Sequence, residues 1–233
     1  SPGDIPNLLI DIHDYTKECY DAGDKRNFEK IEKFARETRE YGYCSIDTEG
    51  IPAALLQMCS PKGTVLYWSP DIDEKAWYHE RDTVPQSKRS RAPYDWSKLP
   101  TVMSATLKDE YVIKIQSAIS VDKQWLNDAS VEVNSCVDLR LLYMYHSSYD
   151  GARTGMETIL KYGCQMNYVP GLNYILWKSS MIKRNPNAMK HMCQDVRGAL
   201  LALYVIIEEQ FKFDGGSNMM PLIYQFLFMH LDI

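Results

Sequence analysis

The feature that most constrains this chain is the stretch Tyr43-Cys44-Ser45-Ile46-Asp47-Thr48-Glu49-Gly50. An apolar, β-leaning run delivers two carboxylates, one residue apart, to the end of a strand. Successive side chains of a strand point to opposite faces, so Asp47 and Glu49 project the same way. Two like charges side by side repel, and the usual compensation is a divalent cation held by oxygen ligands. On this fragment alone the plainer reading is a strand running into a turn with two solvated acids. The rest of the chain has to decide.

At 233 residues the length suits one large domain with a sizeable core. Six cysteines at 19, 44, 59, 136, 164 and 193 form no CxxC pair, and several lie in apolar runs. That pattern favours a reducing compartment, cytoplasm or nucleus, over a disulfide framework or a zinc site. No leader and no apolar span of about 20 residues is present, so neither secretion nor membrane insertion is expected. The net charge of −5 speaks against broad phosphate contact. Acids gathered round metal ions nevertheless count as negative in such a sum while being neutralised in the site.

Apolar residues Phe28, Ile31, Phe34 and Ala35 recur at helical spacing between Arg26 and Glu40. Three strands follow: the acid-tipped run, Ala53 to Cys59, and Thr64 to Trp68. Ser60-Pro61-Lys62-Gly63 makes the last two a hairpin. Residues 69–100 are polar and basic after a helical turn near Asp71 to Glu80. They read as a mobile surface insertion or as a basic arm (Lys88, Arg89, Arg91) that meets phosphates. A fourth strand is expected over Tyr111 to Ile115, a helix over Val121 to Asn127, a fifth strand over Val131 to Val137 and a helix over Leu139 to Tyr145. Strand alternating with helix implies parallel pairing. A helix is expected within 151–163, then an irregular stretch over 164–186. The strongest helical pattern starts near Asn185-Pro186 and runs to Glu209. Gly215-Gly216-Ser217 ends it, and an apolar segment from Met219 to Leu231 forms a last helix that packs on the core or on a partner. The predicted fold is α/β, a mixed five-stranded sheet (antiparallel meander plus parallel strands) flanked by helices. It is one domain over 1–233, with a core about 26–210 and N- and C-terminal helical extensions.

Four acids lie at element ends or on apolar helices. Asp47 and Glu49 end the first strand, Asp122 opens a helix after the fourth, and Asp195 sits inside the long apolar helix, where a lone carboxylate wants a partner. His191 is one turn before Asp195 on the same helical face. Four carboxylates in one cleft suit a two-metal site for phosphoryl displacement, and a nearby imidazole suits an attacking water. Asp138 reads as the cap of the helix that follows it. Trp125, Tyr143 and Tyr145 read as core or rim aromatics, and Met189, Met192, Met219 and Met220 as core.

This ordered set resembles the DEDD superfamily of 3′–5′ exonucleases, in its ribonuclease D and Werner-type branch. Ile46-Asp47-Thr48-Glu49 looks like its first motif, and Ala54-Leu55-Leu56-Gln57-Met58 like its second strand. Ile113-Lys114-Ile115-Gln116 followed by Asp122-Lys123-Gln124-Trp125-Leu126 looks like its second motif. Cys136-Val137-Asp138-Leu139 matches the next strand end, and Asp195 the acid of the last motif. Three positions depart from the pattern. His191 stands where the branch has tyrosine, Gly50 where an aromatic often follows the first motif, and Gln116-Ser117-Ala118 where a glycine is common.

The resemblance implies a ribonuclease H-like fold. It also implies a metal-dependent 3′–5′ exonuclease acting on single-stranded nucleic acid, RNA by expectation, with two ions of Mg²⁺ or Mn²⁺. Asp47, Glu49 and Asp195 would hold the first ion, and Asp47 with water most of the second. Asp122 would act through water or as an outer ligand, and His191 would orient the nucleophilic water. Lys161, Lys178, Lys183 and Arg184 would lie near the cleft. The rival is a non-catalytic nuclease-fold module that binds RNA or a protein partner, or pairs with its own copy through 219–231. No Gly-rich phosphate loop or nucleophile elbow supports a small-molecule enzyme.

Overall fold

The computed structural model describes residues 17–146, 155–172, 175–211 and 220–231. In chain order, β1 (Cys19–Asp21) precedes α1 (Phe28–Tyr41). This helix buries Phe34, Ala35 and Thr38, while Phe28 stays exposed, so its apolar stripe begins at Ile31. Gly42 ends it at φ 77°, where its N–H reaches the Thr38 carbonyl at 2.8 Å. A left-handed residue of this kind is a common helix stop.

Next come β2 (Tyr43–Glu49), β3 (Leu55–Cys59) and β4 (Val65–Trp68), then α2 (Glu74–Thr83) and α3 (Thr101–Lys108). β5 (Ile113–Gln116), α4 (Ile119–Asp128), β6 (Cys136–Asp138) and α5 (Leu139–His146) complete the alternating half. α6 (Met156–Thr158) passes into a wide helical turn over Ile159–Gly163, and α7 (Ser179–Ile182) leads to the long α8 (Pro186–Phe211) and to α9 (Met220–Met229).

The sheet is mixed and flanked by helices, as expected, but it has six strands rather than five, in the order β1-β4-β3-β2-β5-β6. β2, β3 and β4 form the antiparallel meander, and β5 and β6 add to β2 in parallel. The extra strand is β1, parallel to β4. Three residues are too few to show alternation, so only the pairing reveals them. The part of the N-terminal extension that is described, 17–27, is therefore a strand and a short 3₁₀ turn rather than a helix.

Alternation along β2 divides the interior in two. Cys44 and Ile46 face one layer with Phe34, Met103, Leu107 and Leu126 from α1, α3 and α4. Tyr43 faces the other, against Val196, Ala199, Leu200 and Leu203 of α8. Ser45 follows Tyr43 to that side, and its hydroxyl donates to the Val196 carbonyl at 2.6 Å. The Tyr43 and Tyr204 hydroxyls meet at 2.8 Å. Each fully buried aliphatic side chain of this kind contributes about 1.5–3 kcal/mol, so α8 is bound to the sheet along its length. Asp47 and Glu49 inherit the α8 face from the same alternation.

Four other expectations change. Residues 69–100 are anchored rather than a free insertion, because Ile72 and Trp96 are buried at 2% and 4% exposure and Asp73 caps α2. Helix α3 was not expected, and its buried residues are only Met103 and Leu107. The fifth predicted strand shortens to Cys136–Asp138, while Val131 and Val133 are buried from irregular backbone. The helix expected within 151–163 begins at Met156, with 151–154 outside the described residues, as are 215–217 and Met219. α9 packs Ile223, Phe226 and Leu227 into the core and leaves Phe228 and Met229 exposed. The cysteines are free thiols. No helix among the described residues is long and apolar enough to cross a membrane.

Candidate active site

The sheet and α8 bring all four predicted acids, with His191, to the C-terminal end of β2. Asp47 and Glu49 leave β2 on the α8 face, opposite Gln57 and Leu55 of β3. Gln57 is fully buried and its amide nitrogen donates to both, to Asp47 Oδ2 at 2.7 Å and to Glu49 Oε1 at 3.3 Å. Asp195 arrives from α8. Gln116, at the end of β5, ties that helix to the strand by donating to the carbonyls of Ile46 at 2.9 Å and Asp195 at 3.3 Å. Asp122 comes from the first turn of α4, where its Oδ1 accepts from Thr48 N at 3.0 Å and Thr48 Oγ1 at 2.7 Å.

His191 lies between two of these acids. Nε2 is 3.3 Å from Glu49 Oε1 and 3.2 Å from Asp195 Oδ2, and Nδ1 is 3.1 Å from the Val169 carbonyl oxygen. Gln194 clamps the same loop, accepting from Val169 N at 2.8 Å and donating to Val169 O at 3.2 Å.

Acids this close and this dry resist ionisation. Burial pushes the Asp47 carboxyl well up, and the Asp122, Glu49 and Asp195 charges push it further. Burial likewise raises Asp195 to about 7, against the pull of His191, and Asp122 to about 6, against the Thr48 bonds. Burial alone would lower His191, but contact with Glu49 and the field of Asp195 raise it to about 9. Of the four carboxylates, Glu49 and Asp195 share the one imidazole. Asp195 Oδ1 and Gln57 Oε1, both buried, find no hydrogen-bond partner among the described residues. A divalent cation would satisfy this oxygen-rich, donor-poor arrangement, so the residues fit the expected metal. Glu49, His191 and Asp195 form one group whose ligand atoms lie within 4.8 Å of one another.

Glu49 and Asp122 line a cleft of about 580 Å³ walled by Trp77, Trp125 and Trp177, with Arg81 and Arg89 at its border. An aromatic at position 50 would be strained. Gly50 has φ 92°, and a Cβ there would stand 3.1 Å from both the Pro52 carbonyl and Ala54 Cβ. Aromatic surface comes from the tryptophans instead. The expected basic arm is only partly available. Arg89 donates to the Val84 and Arg81 carbonyls, and Arg91 pairs with Asp128. Lys178, Lys183 and Arg184 line another hollow, of about 780 Å³, and Lys161 pairs with Glu157. None of the four lines the acid cleft. Asp138 caps α5 as expected, accepting from Arg140 N at 2.9 Å, and also holds Ala118 N at 2.9 Å.

Sequence reasoning gave no role to Gln57, Gln116 or Tyr168. Gln57 was visible only as part of a strand motif. Tyr168 lies in the irregular stretch, edge-on to His191 with ring centroids 6.0 Å apart. Burial and the Asp195, Glu49 and Asp47 charges raise its phenol.

No protein-family model matches the sequence, and no curated protein matches it either. Solved structures do. Brucella melitensis NrnC bound to pGG matches with a TM-score of 0.51 and 17% identity, over 83% of this chain and 85% of that one. A structure described as the apo form of the nuclease matches at 0.55 and 18%, over 85% and 86%. At such identities the likeness is one of fold, the ribonuclease H-like α/β architecture.

Proposed function

We propose that this chain is a metal-dependent 3′–5′ exonuclease that removes nucleoside monophosphates from the end of single-stranded nucleic acid, with RNA as its substrate. The observation that carries the reading is the convergence of Asp47, Glu49, Asp122 and Asp195 on one strand end, where Asp195 Oδ1 is buried without a hydrogen-bond partner among the described residues. The fold it shares with a nuclease, and with NrnC bound to pGG, supports the same reading.

Asp47, Glu49 and Asp195 would hold one Mg²⁺ or Mn²⁺. Asp47 would face a second, with Asp122 acting through water because Thr48 already engages its Oδ1. When bound, two such ions supply a clamp for the attacking and leaving oxygens of a phosphoryl displacement. The chain's own residues do the rest. Gln57 fixes the first acid pair, Gln116 holds α8 at the strand end, and the tryptophan walls offer flat surface to a terminal base. Free thiols fit a reducing, intracellular setting.

Purified protein with Mn²⁺ or Mg²⁺ should shorten a 5′-labelled single-stranded oligonucleotide stepwise, releasing mononucleotides, and Asp47→Ala should abolish it. Failure to shorten either RNA or DNA in both metals would sink the enzymatic reading in favour of a binding module.

A further inference from the structure

The His191 ring is fixed on every side. Its Nδ1 faces the Val169 carbonyl at 3.1 Å, and a carbonyl only accepts, so Nδ1 carries the ring proton. Tyr168 stands edge-on, the Trp177 ring centroid is 5.9 Å away, and a Cβ at Gly171 would lie 3.4 Å from Nε2. Nε2 faces Glu49 Oε1 at 3.3 Å and Asp195 Oδ2 at 3.2 Å, so a cation that replaces the proton it shares with them meets a ring lone pair and two carboxylate oxygens.

A lone pair among carboxylate oxygens is a donor set for a cation. Ligand atoms about 2.1 Å from one ion, at tetrahedral or octahedral angles, stand roughly 3.0–3.4 Å apart, which is the spacing Nε2 keeps from both acids. Metal-binding histidines usually donate their other ring N–H to a carbonyl or carboxylate, as Nδ1 does here. The independent sign of a missing ligand is Asp195 Oδ1. Its residue is 9% exposed, and although the neighbouring Gln194 side chain acts on the carboxyl, Oδ1 makes no hydrogen bond of good geometry among the described residues.

We propose that His191 is itself a metal ligand, with Nε2 joining Glu49 and Asp195. The nitrogen then turns the site toward a first-row transition ion such as Mn²⁺ and away from Mg²⁺. Mg²⁺ is held by oxygen and keeps its waters, whereas imidazole suits softer divalent ions. This assignment rests on the metal-dependent nuclease reading and replaces the water-orienting role that the sequence resemblance implies for His191.

The test uses the full chain stripped of metal and titrated with Mn²⁺ alone, followed by pulsed electron paramagnetic resonance. The expected spectrum shows the ¹⁴N modulation of a directly bound imidazole, absent in His191→Gln and His191→Asn. Competition with Mg²⁺ should show a preference for Mn²⁺ that falls about tenfold in those variants. Bound Mn²⁺ without nitrogen modulation in the wild type overturns the assignment and leaves the nuclease reading standing. No Mn²⁺ binding at all removes both. The wild-type spectrum decides the ligand whether or not the variants fold.

Discussion

Two buried carboxylate sites lie at opposite ends of β3, and they are built in opposite ways. At one end Glu37 of α1 reaches the β3–β4 turn. It accepts from the hydroxyls of Ser60 and Thr64, the latter at 3.0 Å, with Lys33 at 3.8 Å. At the other end Asp47, Glu49, Asp122 and Asp195 face one another across Gln57 and a single imidazole, and one oxygen of Asp195 is left over. The first acid is surrounded by donors and closes a turn. The second group has Gln57, Thr48 and His191 but leaves Asp195 Oδ1 over, and a buried polar atom without a partner is costly unless something absent from the chain completes it. Burial alone does not mark a functional acid; the shortage of donors does.

The contrast breaks most sharply under one substitution at each end. Asp47→Asn should reduce the proposed nuclease activity by at least about a thousandfold, since Asp47 is the acid proposed to serve both ions. It should also raise the metal-free Tm at pH 8, because it replaces a carboxyl whose ionisation burial and three neighbouring acids disfavour. Glu37→Gln should do the reverse. It should cost about 2 kcal/mol by weakening charge-assisted hydrogen bonds, roughly 4–8 °C in Tm for a chain of this size, with turnover of the folded protein unchanged. Thermal melts and end-labelled digestion of both variants check the pair. Loss of Tm in Asp47→Asn would make that acid structural after all.

The pH dependence of the metal-free protein follows from the same shortage. Asp195 and Asp122 are raised from 3.8 to about 7 and about 6, so the folded chain keeps protons that the unfolded chain releases. The stability this supplies is complete below pH 3.8 and is lost as pH climbs through 6 and 7. His191, raised from 6.5 to about 9, adds a further loss as pH climbs from 6.5 through 9. Metal-free Tm should therefore fall steadily from pH 5 to pH 9, and saturating Mn²⁺ should flatten the fall. A flat metal-free profile would mean that the acids do not share their charge as the geometry requires.

A smaller effect is expected at Gln57, whose amide holds the first acid pair. Gln57→Leu keeps the volume and removes the donor, so activity should drop about tenfold to a hundredfold, as for other residues that orient metal ligands. Weaker Mn²⁺ affinity measured by calorimetry should accompany the drop. An unchanged affinity would reduce Gln57 to packing.

These residues also show what a sequence can and cannot reveal. The acids were legible because each sits at a place where the local pattern makes a carboxylate odd: a strand end, a helix start, the middle of an apolar helix. The shared face of Asp47 and Glu49 followed from alternation alone. Gln57 and Gln116 gave no such sign, because a glutamine in a strand is explained only by its partners, and those lie as far away as Asp195. β1 stayed hidden for the same reason, existing only through β4. In α3, two buried residues one turn apart are too short a stripe to read as a helix. Position 50 illustrates a different limit. The sequence shows that an aromatic is missing, but only the left-handed backbone shows why glycine is favoured there.

Ala118 is the counterpart of Gly50 and gives the mildest prediction. The family that the chain resembles commonly has a glycine where this chain has Gln116-Ser117-Ala118, and the backbone keeps the conformation that glycine favours, with Ala118 at φ 55°. Its N–H is held by Asp138, which fixes the turn into α4 and so the approach of Asp122. A left-handed alanine costs about 1–2 kcal/mol, partly offset by the greater unfolded-state freedom of glycine. Ala118→Gly should then stabilise the chain by up to about 1 kcal/mol, visible as a Tm rise of roughly 2–4 °C, with activity unchanged because the Thr48–Asp122 contact is untouched. A fall in Tm would show that the methyl group packs better than the backbone is strained. A fall in activity alone would place this turn among the parts that set the acids.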